Sequence, residues 1–322
     1  MREFDFIRSI QQQNYRNSEI IKGIGDDAAV FHQPYRHVVT AVDTFVENVH
    51  FSKETMSLFQ VGYRALAANI SDMAAMGAEP ISYLVSIVIP KKYSSDDLKE
   101  IYLGLHTIAK DYQLDLIGGD TVTGNELVLS VTINGAVNQN RIRYRSLMQP
   151  DDIIFVTGTL GDSAAGLDIL LNKHTDIKNS DYLIERHQLP TPRVNFSSGL
   201  KNINRVALND ISDGLASEAN ELAEASQLSI YLDASEMPRS DALKQFSMSK
   251  QLNYILNGGE DFELIGSVSP TNWGELRQVA EKTNTPIKKV GYVKNEDNQG
   301  KVFLKKDTQI EVLEATGYVH EN

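Results

Sequence analysis

Strand-like and helix-like segments alternate along both halves of this 322-residue chain, and the alternation breaks around Met148-Gln149-Pro150-Asp151-Asp152. Segments 38–46 (VVTAVDTFV), 83–89 (YLVSIVI), 114–118 (LDLIG) and 127–137 (LVLSVTINGAV) are rich in β-branched and aliphatic residues and read as strands. Between them, Phe59, Tyr63, Leu66, Ile70 and Met73 recur at spacings of four and three, marking one face of a helix over 57–76. Gly77 and Pro80 supply its C-terminal stop. A second helix is expected at about 96–111. After the break the pattern restarts with a strand over 153–156, helices over 162–171 and 214–226, a strand over 262–268 and a shorter one near 289–293. Length and pattern predict an α/β or α+β chain of two domains, 1–149 and 150–322.

Charge narrows what such a chain can bind. The formal net charge is -12 and the pI near 5.1, which argues against nucleic acid and against anionic membrane surfaces. An acidic protein still binds polyanions where divalent cations stand between them. There is no cysteine, so disulfides, thiolate zinc sites and thiol nucleophiles are excluded together. The N-terminal MREFDFIRSIQQQN has no apolar core of a signal sequence, and no long uncharged apolar run follows it. The expectation is a soluble cytoplasmic protein.

The acids themselves are placed unusually. GIGDDAAVF (23–31) sets Asp26 and Asp27 directly behind a pair of glycines. Asp43 lies toward the end of the first strand, and Asp120 is expected to end another in LIGGDT. Asp72 falls on the helix face opposite the apolar stripe, alongside Ala65, Ala68 and Asn69. Asp210 and Asp213 sit in NDISDGL, just before or at the start of a helix, and Glu260 and Asp261 follow NGG. Singly, each has an ordinary reading as a turn residue, a solvated carboxylate or, for Asp213, a helix N-cap. Several, however, follow glycine at the end of a strand, the edge at which α/β sheets gather ligands. Two unit charges about 4 Å apart at an effective dielectric of about 20 repel by about 4 kcal/mol. Hard divalent cations relieve that repulsion, and Mg²⁺ bridges carboxylates to substrate phosphates. The pattern points to a multi-magnesium, nucleotide-phosphate site. TGTLGDSAAG (157–166) offers a second glycine-rich stretch, suited either to phosphate or to a tight strand-to-helix turn. No P-loop, nucleophile-elbow or H-E-x-x-H motif occurs.

With these residues assembled, the chain resembles the thiamine-monophosphate kinases of the aminoimidazole-ribonucleotide-synthetase-like superfamily. The resemblance runs through GIGDDAAV, AVDTFVENVHF, ALAANISDMAAMGAEP, LIGGDT, VTGTLGDSAAGL, ISDGL and NGGEDFEL, in family order and over nearly the whole chain. It implies transfer of the ATP γ-phosphoryl group to thiamine monophosphate. It also implies an N-terminal half that binds ATP and magnesium and builds a β-barrel across a homodimer, with a C-terminal α/β half completing the active site. By the same resemblance Asp27, Asp43, Asp72, Asp120, Asp210 and Asp213 are magnesium ligands. Ala41 and Val42 hold positions that offer ligand atoms, Val42 through its backbone, where relatives often carry Ser or Thr. Asp27, Gly119, Asp120, Arg145 and Ser212 become ATP contacts, with Tyr102 a candidate for stacking on adenine. His50, Glu260 and Tyr318 become acceptor-site residues.

The chemistry suits such a set. A phosphate oxygen is already ionised near neutral pH, so the obstacle is repulsion between polyanions rather than proton removal. With no Cys, and no Ser or His in a recognisable nucleophile setting, direct transfer without a catalytic protein nucleophile is expected. Two alternatives stand beside this reading: another ATP-dependent member of the superfamily with a different acceptor, and a non-catalytic magnesium–nucleotide-binding regulator.

Overall fold

The computed structural model describes residues 14–22, 30–32, 36–173, 176–296 and 300–317. They fall into two units, one within 1–73 and 78–139, the other within 74–77 and 140–322.

In the first unit, β1 (Ile20–Lys22) and β2 (Val30–Phe31) pair antiparallel as a small ribbon. The main sheet has four strands: β3 (His37–Val46), β4 (Glu79–Pro90), β5 (Asp115–Gly124) and β6 (Val128–Val137), in the order β3-β6-β4-β5. Only the β4–β5 pair is parallel, joined through a helix as parallel pairing requires. Helix α1 (Leu58–Ala75) precedes β4, and α2 (Ser95–Asp111) is the β4–β5 crossover. The start of α2 is fixed by a capping box, Ser94 Oγ accepting from the Asp97 N–H at 3.2 Å and Asp97 Oδ2 from the Ser94 N–H at 2.7 Å. The two helices meet at glycines. A Cβ on Gly62 would lie 1.9 Å from the Ile101 carbonyl oxygen, and one on Gly104 1.9 Å from that of Phe59.

This packing explains one departure from expectation. Ala65, Ala68 and Asn69 are not on a solvent face; all three are buried, because α1 is packed on more than the single stripe that its large residues mark. Asp72 is half-buried.

The second unit holds a seven-stranded sheet. Its strands are β7 (Ile153–Thr157), β8 (Val206–Asp210), β9 (Ser229–Asp233), β10 (Leu264–Val268), β11 (Ile287–Lys294), β12 (Val302–Lys306) and β13 (Gln309–Val312). The order is β13-β12-β9-β11-β7-β10-β8, with only β12–β9 parallel. Helices α3 (Asp162–Asn172), α4 (Ser180–Gln188), α5 (Val194–Gly199), α6 (Leu215–Ser226), α7 (Met248–Asn257) and α8 (Trp273–Lys282) complete it. A continuous core joins Ile154, Val156, Ile230 and Ile265 of the sheet to Ile169 of α3, Leu215, Ala219 and Leu222 of α6, and Ile255 of α7. On the other sheet face Phe155 meets Phe196 of α5 edge-on, ring centroids 6.2 Å apart.

Mixed and mainly antiparallel pairing in both sheets means that strand ends do not share one carboxyl edge. The expectation that the acids gather along such an edge is therefore corrected. Asp120 in particular lies inside β5 rather than at its end. No closed barrel is present among the described residues of one chain. No helix among them is long and apolar enough to cross a membrane.

Candidate functional site

Pairing register fixes where the first unit's acids point. Asp43 lies opposite Val131, which is opposite Val85, and both valines are buried. Gly135, two register steps along β6 on the same face, approaches the Met73 sulfur of α1. Asp43 and Ala41 therefore face the side that α1 covers, the helix that also carries Asp72. Asp120 belongs to the other face. It shares a row with Ser86, Ser130 and Thr44, confirmed by the 2.9 Å contact between the Thr44 and Ser130 hydroxyls. Val42, 60% exposed, lies on that open face too. Asp120 is exposed, and among the described residues its carboxylate accepts one hydrogen bond, from the Thr121 N–H at 2.9 Å.

Gly119 has a structural reason beside any contact with nucleotide: a Cβ there would stand 1.9 Å from the Val85 carbonyl oxygen. Tyr102 is on the buried side of α2, 9% exposed, and burial raises its hydroxyl pKa. Little of its ring is open to a base within this unit. His50 follows β3; its Nδ1 accepts the Val46 N–H at 3.1 Å and its ring tilts against Phe45. Asp26 and Asp27 lie outside the described residues.

In the second unit three separated segments converge. Leu264 of β10 pairs with Asp210 of β8, and the pairing continues beyond both strands. The Ile211 N–H donates to the Glu263 carbonyl at 2.7 Å, the Phe262 N–H to Ile211 at 3.0 Å, and the Glu260 N–H to Ser212 at 2.7 Å. Gly259 lies flat on this turn, since a Cβ would meet the Ser212 carbonyl oxygen at 2.4 Å. Glu260 thus stands beside Ser212 and Asp213. The C-terminal segment reaches the same corner: the Gly317 N–H donates to Ser217 Oγ at 3.1 Å, and Thr316 Oγ1 to Asn257 Oδ1 at 2.6 Å. A Cβ on Gly317 would stand 2.2 Å from the Asp213 carbonyl oxygen. Tyr318, the next residue, lies outside the described residues.

Beneath this corner is an acidic network that the sequence did not reveal. Glu218, buried on the first turn of α6, accepts from the Asp213 N–H at 3.1 Å and from Ser212 Oγ at 3.2 Å. Asn209 donates to Glu218 and, at 2.9 Å, to Glu221. Arg145, itself exposed, donates from Nε to Asn209 Oδ1 at 3.0 Å and pairs with Glu221 at 2.9 Å. Burial, with Asp210 and Glu221 adding negative charge, pushes the Glu218 carboxyl up to about 9. Asp213 is not the N-cap of α6. That place is held by Gly214 at φ +105, and Glu218 reaches back to the turn instead.

The glycine-rich stretch 157–166 has an internal partner. Asp261, fully buried, accepts the Gly161 N–H at 2.6 Å and the Ser163 N–H at 3.1 Å, the amides that a phosphate would use there. The turn reading of this stretch holds. Nearby, the buried Glu263 accepts from Thr157 Oγ1 at 2.6 Å, Arg186 Nη2 at 2.8 Å and Arg193 Nε at 2.6 Å.

Among the described residues no three His, Asp or Glu side chains are gathered as a ready metal cage. The donors nevertheless fit magnesium in kind, being carboxylates and hydroxyls with no sulfur. The crowding that raises Glu218 is of the sort a cation relieves.

Comparison with known proteins agrees with this division. Residues 25–137 match the AIR synthase related protein N-terminal domain and residues 149–303 the AIR synthase related protein C-terminal domain. Thiamine-monophosphate kinase of Bacillus subtilis is 46% identical, with 99% of each chain covered. The crystal structure of thiamine-monophosphate kinase from Stenotrophomonas maltophilia superposes with a TM-score of 0.83 at 33% identity, over 93% of this chain and 94% of that one. AaThiL complexed with AMPPCP and TMP gives a TM-score of 0.75 at 28% identity, over 97% of this chain and 98% of that one. The chain belongs to the thiamine-monophosphate kinase family of AIR synthase related proteins.

Proposed function

We propose that this protein transfers the γ-phosphoryl group of ATP directly to the phosphate of thiamine monophosphate, giving thiamine diphosphate and ADP. Beside the family membership, the observation that carries this is the convergence of Glu260 and the Gly317 end of the tail on the turn holding Ser212 and Asp213. Asp27, Asp43, Asp72, Asp120, Asp210 and Asp213 are assigned to Mg²⁺, with the backbone oxygens of Ala41 and Val42. Gly119, Asp120, Arg145 and Ser212 are assigned to ATP, with Tyr102 the weakest of that set because it is buried. His50, Glu260 and Tyr318 are assigned to the acceptor. When bound, Mg²⁺ supplies charge neutralisation between two polyanions and alignment of the acceptor with the γ-phosphate. The chain's own part is to hold carboxylates where the ions sit and to present Glu260 to the thiazolium cation.

The test is ADP release with thiamine monophosphate, set against thiamine and aminoimidazole precursors. Release matched by thiamine diphosphate, with the monophosphate alone and dependent on a divalent cation, is the expected result. Glu260→Gln should raise the acceptor KM by roughly tenfold to a hundredfold, through loss of the attraction between carboxylate and thiazolium charge, with the ATP KM unchanged. Equal weakening of both substrates would misplace the acceptor pocket.

We further propose that the protein acts as a homodimer. β3 and β5 are the two outer strands of the first sheet, and its open face carries Val38, Val42 and Val122, 51%, 60% and 47% exposed. Strand edges left unpaired among the described residues, beside exposed valines, invite a second sheet. Asp43 and Asp120 are three strand spacings apart, about 14 Å along the sheet, while Mg²⁺ holds oxygens at about 2.1 Å. If two copies met edge to edge, β3 of one chain would lie beside β5 of the other, bringing the strands of Asp43 and Asp120 next to each other, and a barrel would close. Sedimentation at twice the 35.9 kDa chain mass is expected, falling to one chain in Val38→Asp/Val122→Asp. An active monomer at micromolar concentration would remove the argument.

A further inference from the structure

Asp261 has no part in the reaction outlined above, yet it is fully buried next to Glu260. It sits between two residues with left-handed backbone, Glu260 at φ +70 and Phe262 at φ +49. Side-chain-bearing residues avoid that region, so two around one aspartate must be held there by the surrounding structure. The holding contacts are visible. Oδ2 of Asp261 accepts the Gly161 N–H and Oδ1 the Ser163 N–H, anchoring the turn to the first residues of α3. Its carbonyl oxygen accepts Arg186 Nη2 at 3.3 Å from α4. On either side the Glu260 and Phe262 amides are spent on Ser212 and Ile211.

The anchor is itself fixed. Gly161, at φ +78, packs so closely on α7 that a Cβ would stand 2.9 Å from the Ile255 nitrogen. Of the charged groups acting on Asp261, Arg186 favours its ionised form and Asp162 opposes it. Burial pushes its carboxyl up to about 7, while Arg186 and the two N–H donors pull it down.

We infer that Asp261 is a positioning residue for the acceptor end: by clamping residues 260–262 onto the start of α3, it sets the direction in which Glu260 leaves the backbone. This rests on the reading of Glu260 given above. Asparagine at 261 keeps the size but offers one acceptor where two N–H groups need one each, so the turn loses half of its anchor.

The experiment is a double-mutant cycle of Asp261→Asn and Glu260→Gln. Binding of thiamine monophosphate is followed by calorimetry, KM is measured for each substrate, and Tm is recorded. Asp261→Asn should weaken thiamine monophosphate roughly tenfold, with the ATP KM within about twofold. In the double variant the loss should not exceed that of Glu260→Gln alone, because Asp261 acts through Glu260. Additive losses, or equal losses for both substrates alongside a lowered Tm, would overturn the positioning role and leave a structural one. Unchanged acceptor binding in Asp261→Asn would overturn it as well. Wild-type protein that does not bind thiamine monophosphate would instead overturn the functional reading, and the proposal with it.

Discussion

Asp120→Asn is expected to fold as the parent does and to lose about a thousandfold in kcat. The expectation of intact folding comes from position. Asp120 is exposed on the open face of β5, and its one hydrogen bond among the described residues, from the adjacent Thr121 N–H, is one that an asparagine oxygen also accepts. The activity estimate follows from the proposed ligand role. A metal clamp supplies several kcal/mol of transition-state stabilisation, and about 4 kcal/mol is about three powers of ten in rate. Asp72→Asn, on the half-buried side of α1, should act likewise. The decisive comparison is kcat against Mg²⁺ concentration, with circular dichroism on the same samples. Full activity in excess chelator, or in Asp120→Asn at ordinary Mg²⁺, would end the metal-clamp account. An unfolded Asp72→Asn would assign that carboxylate to the structure instead.

Glu263→Ala should be the most destabilising single change in the second unit, at about 3–5 kcal/mol, the range for breaking a buried ion pair from one side. Glu263 has no exposure, and its partners Arg186 and Arg193 keep only 12% and 16% of their side-chain surface. Removing the carboxylate takes from Arg186 and Arg193 the buried counter-charge they share, leaving Arg186 with the Asp261 carbonyl. Gly158 adds to the constraint, since a Cβ there would sit 2.1 Å from Glu263 Oε1 and no side chain fills the gap. For a unit of this size the change amounts to roughly 10 °C in Tm. The pH dependence carries the sign. Burial pushes the Glu263 carboxyl up, but Arg193, Arg186 and Thr157 outweigh it, and the group titrates below its ordinary value. A depressed carboxyl stabilises the fold above the unfolded value, about 4.3, and that contribution fades as pH falls through the folded one. The gap in Tm between wild type and Glu263→Gln should therefore narrow in acid. A constant gap from pH 7 to 3, or a Tm loss of only a degree or two, would contradict the picture.

How far the sequence could be read depended on whether the deciding contact was local. The helix of Phe59, Tyr63, Leu66, Ile70 and Met73 was legible because its periodicity is internal, and it runs over Leu58–Ala75. The strand expected over 114–118, with Asp120 at its end, stops short of the end of β5, because DTVTG has the composition of a turn. The strand runs to Gly124, since β4 pairs along its whole length and admits Gly119 where no larger residue fits. Around Asp213 the same limit applied. DISDGL reads as an N-cap, but the positive φ of Gly214 moves the helix start one residue on, and Glu218 closes the turn from within. Glu218 itself resembles any acid on the first turn of a helix until the fold sets it against Asn209 and Ser212. Asp261 was equally opaque, its partners being a hundred residues earlier in the chain. Glu260 could be singled out because NGGED belongs to an ordered series of motifs, not through any local preference.

The continuation of the β8–β10 pairing into the turns of Ser212 and Glu260 has a thermodynamic consequence. These turns are not loops that must be stilled when a ligand arrives. Their amides are already committed to one another, so their conformational entropy is surrendered during folding, along with that of the sheet. On the proposed reading, an acceptor held by Glu260 would meet a preformed surface and forfeit mainly its own freedom of motion. Any closure in the catalytic cycle would, on the same reading, fall to other segments.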